Sequence, residues 1–273
     1  MMKKNAIELD VSLEKLPNYG ENTAAELTIE GRCRGRAAAG SLREKERALE
    51  QALKEERIRE ASAREWLRDN LHVLRRDVAG AATVLGRARE LRREKSGLPL
   101  VCLAARALVK SGGGEVGEER LCAFMEGFQR RVPLEERELA LLPDALRWAL
   151  IGELYADPRR AEAVFRSLRW LQEGSFSLLS EHLSAVDAIL RRDPAGVYPK
   201  MDEESRGDYR RELALAAERY GLGEAAAAEE VLEKAVAEGC HVGEFIYTRP
   251  LGRAGKKKPY ASYLAVHILL PLA

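Results

Sequence analysis

The chain has 273 residues, 33% of them charged and 6% aromatic, with a net charge of +1. This length supports one or two domains with a real core, and the balanced charge supplies no global field for nucleic acid. Cys33, Cys102, Cys122 and Cys240 are scattered with no CxxC pair, which argues against a zinc site or a disulfide scaffold.

MMKKNAIELD lacks the apolar core of an export signal. Residues 1–40 show no sustained period and end in GRCRGRAAAG, so a poorly ordered leader is expected there. A charged helix should run over 41–62, with Glu50–Lys54, Glu55–Arg59 and Glu60–Arg64 as i,i+4 pairs. Leu67, Leu71, Leu74 and Val78 then share one helix face. The arginine clusters Arg32-Arg34-Arg36 and Arg87-Arg89-Arg92-Arg93 stand near glutamates and read as solvated faces rather than phosphate contacts.

Val101, Ala105 and Leu108 mark another helix, broken by Gly112-Gly113-Gly114. Leu121, Phe124, Met125 and Phe128 form the next, followed by Leu139, Leu142, Leu146 and Leu150, then Leu179, Leu183, Val186 and Leu190. Cys102 and Cys122 lie on apolar helix faces and read as buried thiols. Tyr209, Leu213, Ala216 and Tyr220 mark a helix closed by Gly221, and an alanine-rich helix covers 224–238. HVGEFIYT, 241–248, is the one plausible strand. The expected fold is all-α, an irregular multi-helix bundle or array with at most one short strand, its helical domain spanning 41–250.

Residues 251–273 join a basic linker, with Lys256-Lys257-Lys258, to the apolar run YASYLAVHILLPLA. The run falls short of the roughly 20 residues needed to span a bilayer. It reads either as a terminal core helix or as the start of a transmembrane helix whose lysines hold the preceding domain in the cytoplasm.

Catalytic chemistry is not visible. The glycine triplet follows no strand and precedes no Lys-Ser/Thr pair, and His72, His182, His241 and His267 are far apart. There is no D-x-D. Arg147-Trp148 and Arg169-Trp170 could form the RW of a Q-x-x-R-W helix, but Asp144 and Arg166 stand in place of glutamine. No catalytic residue, cofactor or metal is expected in this chain.

The most informative stretch is DPAGVYPKMDEESRGDYRREL, residues 193–213. Pro194 ends the preceding helix and Asp202 is a good N-cap, with Glu203 and Glu204 at the positive end of the helix it starts. Arg206, Tyr209 and Arg210 fall at i, i+3 and i+4. Together with Tyr198, these residues resemble the DPAGVYxxMDFxSRDxYR segment of cyclic β-1,2-glucan synthases, bacterial inner-membrane glycosyltransferases. AREWLRDNLHVL (63–74, with Trp66, Asp69 and Asn70) is similar to an early helix of that family. The stretch from Phe128 and Gln129 through Pro133, Leu134, Glu138 and Leu139 to Pro143 resembles a later one, and HVGEFIY resembles its H-V-G-Y-Y-L-I strand. These matches run in order over about 60–250. Glu203, Gly207-Asp208 and Glu244 depart from the pattern, and the spacer between Leu154 and Val164 is short.

The resemblance implies a non-catalytic N-terminal module, cut off before the membrane-embedded transferase domain, of an enzyme that makes glucan from UDP-glucose. It would lie on the cytoplasmic side of the bacterial inner membrane. Its partner would be that transferase domain or a separate subunit, with membrane contact through 260–273 and no nucleic acid. Asp202, Arg206, Tyr209 and Arg210 would fix the loop-to-helix transition, and Trp66, Asp69 and Asn70 a buried helix contact. The alternative is a soluble α-helical scaffold or regulator that binds a protein partner.

Overall fold

The computed structural model describes residues 10–174 and 176–248. The chain divides into two compact units at the 176/177 boundary. It is all-α apart from one two-stranded ribbon.

In the first unit, a 3-10 turn at Leu13–Lys15 leads into α1 (Leu16–Ala25), and β1 (Ile29–Cys33) follows. The expected poorly ordered leader is therefore corrected over residues 13–40, which are built into the fold. Leu16, Gly20 and Ala24 bury one stripe of α1. The charged helix also differs from expectation. It starts earlier, as α2 (Arg36–Lys54), and stops where Glu56 takes a positive φ of 53°. α3 (Ala61–Asp69) and α4 (Leu71–Arg87) come next, hinged at Asn70.

β2 (Leu91–Glu94) pairs antiparallel with β1, placing Arg32 opposite Arg92 and Cys33 opposite Leu91. Like charges directly opposed across a ribbon repel. Here α7 (Glu136–Leu139), preceded in order by α5 (Leu100–Ser111) and α6 (Glu118–Gln129), supplies the counter-charge. Glu135 at its N-cap binds Arg32 at 2.9 Å, and the fully buried Glu138 binds Arg92 at 2.5 Å. The same two glutamates form the capping box of α7.

α8 (Leu142–Ala156) is the axis of this unit. Leu146, Ala149, Leu150, Ile151 and Leu154 are buried around it, and α2, α4, α5 and α9 (Ala161–Glu173) pack against it. A helix apolar on so many sides must be enclosed. The glycine triplet is an ordered turn, with Ser167 of α9 donating to Gly114 O at 2.9 Å and accepting from Val116 N.

The second unit contains α10 (Phe176–Leu183), α11 (Ala185–Leu190), α12 (Glu203–Tyr220) and α13 (Glu224–Glu238). Val186, Leu190, Leu213, Ala217, Ala228, Val231 and Val242 form its core with Tyr198 and Tyr209. α12 and α13 end on left-handed glycines, Gly221 and Gly239, as the position of Gly221 led one to expect. The expected strand at 241–248 is instead a π-helical turn, Glu244–Thr248. Val242 and Phe245, three residues apart, pack on α12 and α13, and among the described residues no neighbouring strand offers a ladder. Among the described residues, no helix is long and apolar enough to cross a membrane. The tail at 260–273 and the linker before it lie outside the described residues.

Candidate functional site

The 193–213 segment folds into a buried network of charges and phenols. Ser184 caps α11 by accepting from Asp187 N at 2.9 Å, which fixes the Asp187 carboxylate at the start of that helix. Three donors converge on this carboxylate. Tyr198 Oη donates to Oδ1 at 2.8 Å, Arg210 to Oδ1 at 3.2 Å, and Arg191 to Oδ2 at 2.5 Å. Tyr198 is completely buried and Arg210 is 8% exposed.

Glu181 of α10 forms a second node. Its Oε1 accepts from Arg191 and Arg206, both at 2.5 Å, and Arg206 also donates to the carbonyl of Met201. Burial pushes the Glu181 carboxyl up, but the bond from Arg206 and the charges of Arg206, Arg210 and Arg191 outweigh it and leave the pKa lowered. Glu181 Oε2 is buried with no hydrogen-bond partner among the described residues.

Asp193 is the third node. Its Oδ2 accepts from Val197 N at 2.9 Å, Tyr198 N at 3.1 Å and His241 Nδ1 at 2.8 Å, while Oδ1 accepts from Val242 N at 3.1 Å. One carboxylate thereby shapes the PAGVY loop and ties it to the segment after α13. Burial raises this pKa too, but the four hydrogen bonds lower it further, below the usual carboxylate range. His241 Nε2 lies 3.1 Å from Tyr209 Oη. Burial pushes the Tyr209 phenol up to about 12, and the His241 ring bridges it to the Asp193 carboxylate. The order Asp–His–Tyr is that of an acid–base relay. Yet Tyr209 is 6% exposed and edged by the Tyr198 and Tyr247 rings at 5.8 and 5.0 Å, so the relay presents nothing to a substrate.

The other residues of the motif have structural places. Asp202 is exposed and caps α12, accepting from Ser205 N at 2.8 Å and Ser205 Oγ at 3.0 Å. Pro194 is exposed and begins the loop. Arg206, Tyr209 and Arg210 do share the inward face of α12.

Those nodes titrate in one direction. Glu181, Asp193 and Asp202 all have lowered folded pKa values, so the stability they give is complete above the unfolded carboxylate range, about 4, and is lost as pH falls through their lowered values. Asp77 and Asp144 in the first unit are raised by burial, so any stability they give is present at low pH and lost as pH rises through their raised values. The first unit also has lowered carboxylates, Glu50, Glu94 and Asp157, but these are held by surface partners. Glu181 and Asp193 are buried nodes, so acid is expected to open the second unit first. All three tryptophans, Trp66, Trp148 and Trp170, lie in the first unit. Their fluorescence should hold at a pH where amide exchange in 185–245 has already accelerated; coincident loss would refute this order.

In the first unit the expected contact is realised in part. Asn70 accepts from Arg169 at 2.8 Å and donates to Trp66 O at 2.9 Å, linking the α3–α4 hinge to α9. The Arg169 guanidinium lies 5.9 Å from the half-buried Trp66 ring. Asp69, expected within the buried contact, is exposed, because it falls on the outer face of the last turn of α3. Gln129 accepts from Leu134 N at 3.2 Å and shapes the turn after α6.

A cleft of about 480 Å³ lies among α4, α8 and α9, lined by Asp77, Asp144, Arg147 and Gln172 among others. Gln172 donates to both oxygens of Asp77, and Arg147 lies 3.7 Å from Asp77 and 3.4 Å from Asp144. Burial raises both carboxyls against these partners. The lining contains no histidine, cysteine or hydroxyl, so it holds no nucleophile for the pair to activate. Among the described residues, no cluster of His, Cys, Asp and Glu could hold a metal ion.

Sequence reasoning passed over Glu181, Asp187 and Arg191, and named His241 only as one of four scattered histidines and the first residue of the expected strand. Asp187 carried one usable signal, its place three residues after the N-cap Ser184. Asp193 was read only as the residue before a proline, although its carboxylate organises the loop. No family model, no curated protein and no solved structure matches this chain.

Proposed function

We propose that the chain is a non-catalytic helical module, similar to the region that precedes the membrane-embedded transferase domain of cyclic β-1,2-glucan synthases. One observation carries the reading. The chemistry-bearing side chains of the 193–213 motif, together with His241, are engaged with one another and with backbone, so their pattern serves to hold a shape. The ordered sequence motifs over 60–250 support the family part of the reading. The module would act by contact with a transferase domain on the cytoplasmic side of the inner membrane, and UDP-glucose would be the donor used by that partner.

The purified chain is expected to transfer no glucose from UDP-glucose. Added to a cyclic β-1,2-glucan synthase lacking its corresponding N-terminal region, it should co-purify with the enzyme and restore glucan synthesis. Glucose transfer by the chain alone would overturn the non-catalytic reading. Failure both to bind and to restore would leave the soluble scaffold as the better account.

A further inference from the structure

The two arginine clusters that are some fifty residues apart in sequence meet in the first unit. Pairing of Cys33 with Leu91 brings the start of α2 beside the end of α4, and Gly35 N donates to Ala88 O at 3.1 Å. Gly35 is needed for this approach, since a Cβ there would lie 2.2 Å from Leu85 O. Arg34, Arg36, Arg87 and Arg89 all surround this junction and are all exposed.

What sets them apart is that four arginines without an ion pair among the described residues come together on adjoining segments. Arg32 and Arg92, next to them on the ribbon, are held by Glu135 and Glu138. Exposed arginines elsewhere are of both kinds. Arg75, Arg131, Arg166 and Arg211 are paired with Glu50, Glu21, Glu162 and Asp208, whereas Arg43, Arg59, Arg68, Arg106 and Arg219 stand without an ion pair among the described residues. Among the described residues, none of the four junction arginines has an ion pair or a side-chain hydrogen bond to a carboxylate. The carboxylates nearest in sequence, Glu30 and Glu90, are exposed and engage none of them. The first turn of α2 contains no acidic residue, and its positive end is offset by the negative end of α4 beside it, so the arginines themselves set the charge there.

We propose that this junction is a phosphate-binding surface, taking the phosphate groups of a polyanion through Arg34, Arg36, Arg87 and Arg89. Planar guanidinium forks match phosphate oxygens, and four exposed arginines on adjoining segments, with no ion pair of their own, leave that role to a ligand. Residues 28–40 and 81–98 contain no aromatic side chain, so these segments offer bases no aromatic stacking platform. This favours a soluble polyphosphate or lipid headgroups over a nucleic acid.

The test uses the full chain. Tripolyphosphate is titrated calorimetrically at low and raised salt, and sedimentation is measured with phosphatidylcholine vesicles with and without phosphatidylglycerol. Binding to tripolyphosphate assigns a soluble ligand, and binding only to the phosphatidylglycerol vesicles assigns headgroups. In either arm affinity should fall as salt rises. The triple variant Arg34→Gln/Arg87→Gln/Arg89→Gln should bind on the order of a hundred-fold more weakly. Its melting temperature should be unchanged, since these side chains hold nothing inside the protein. Lysine at the same three positions keeps the charge and should retain salt-sensitive binding. Arg166→Gln/Arg211→Gln, which removes paired arginines, should bind like the parent. No binding in either arm, equal losses in the two glutamine variants, or tighter binding of an oligonucleotide than of either probe would overturn the proposal.

Discussion

Asp187→Ala is expected to destabilise the second unit by about 3–5 kcal/mol, the range for removing one member of a buried ion pair. Asp187 is 3% exposed and accepts from Tyr198, Arg191 and Arg210. Its loss leaves the fully buried Tyr198 hydroxyl without an acceptor and takes an ion pair from Arg210 on α12. Two effects therefore act together, the desolvation of a phenol and of a guanidinium. Asp187→Asn keeps an acceptor for Tyr198 but removes the charge, so its loss should be smaller. Crossing Asp187→Asn with Tyr198→Phe should show coupling of about 0.5–3 kcal/mol if the hydroxyl and the carboxylate act as one unit. Amide exchange across 185–245 reads the second unit, and tryptophan fluorescence reads the first. An alanine variant that exchanges like the parent would remove Asp187 from the centre of the network.

Gly127→Ala should be the most damaging small substitution in the first unit. A Cβ at Gly127 would lie 1.7 Å from Pro17 O, and one at Gly20 would lie 2.2 Å from Phe124 O. α1 and α6 therefore touch backbone to backbone, and neither carbonyl can yield without moving a helix. Overpacking of a tight core costs about 1–3 kcal/mol, and more where the obstacle is main chain. Loss should appear as detachment of α1, with fast exchange over 16–25 and exposure of Phe124 and Phe128. Gly80→Ala is the matching control, since a Cβ there meets nothing within 4 Å of a mid-helix position. It should stabilise by about 0.5–1 kcal/mol. Similar effects of the two substitutions would show that the α1–α6 contact is not as close as drawn.

These cases show what was legible in advance. Most helices from 67 onward were legible from apolar spacing, and Gly221 and Asp202 from their cap chemistry. However, α9 was not read, and the runs 67–78 and 179–190 each divide between two helices, at Asn70 and at Ser184. The N-terminal forty residues did not. α1 is held through glycines, whose contribution is the absence of a side chain, and a hydrophobic pattern records only side chains that are present. The HVGEFIYT segment misled for a related reason. Its apolar positions are real, but a strand needs a partner, and the segments that pair into a ribbon, 29–33 and 91–94, are rich in charge and show no apolar alternation.

The chain's own order of residues determines the all-α class, most helix positions and the way 202–210 begins α12, because capping and spacing act within one or two turns. Only the tertiary structure decides which charges are satisfied. Asp187, Asp193 and Glu181 reach partners far along the chain, up to His241, and become a shape-holding network. Arg34, Arg36, Arg87 and Arg89 looked like members of solvated, mixed-charge faces and are brought together without their glutamates. The physical reason is the same in both directions. A side chain's charge is written in the sequence, but its counter-charge is supplied by whatever the fold places within a few ångströms.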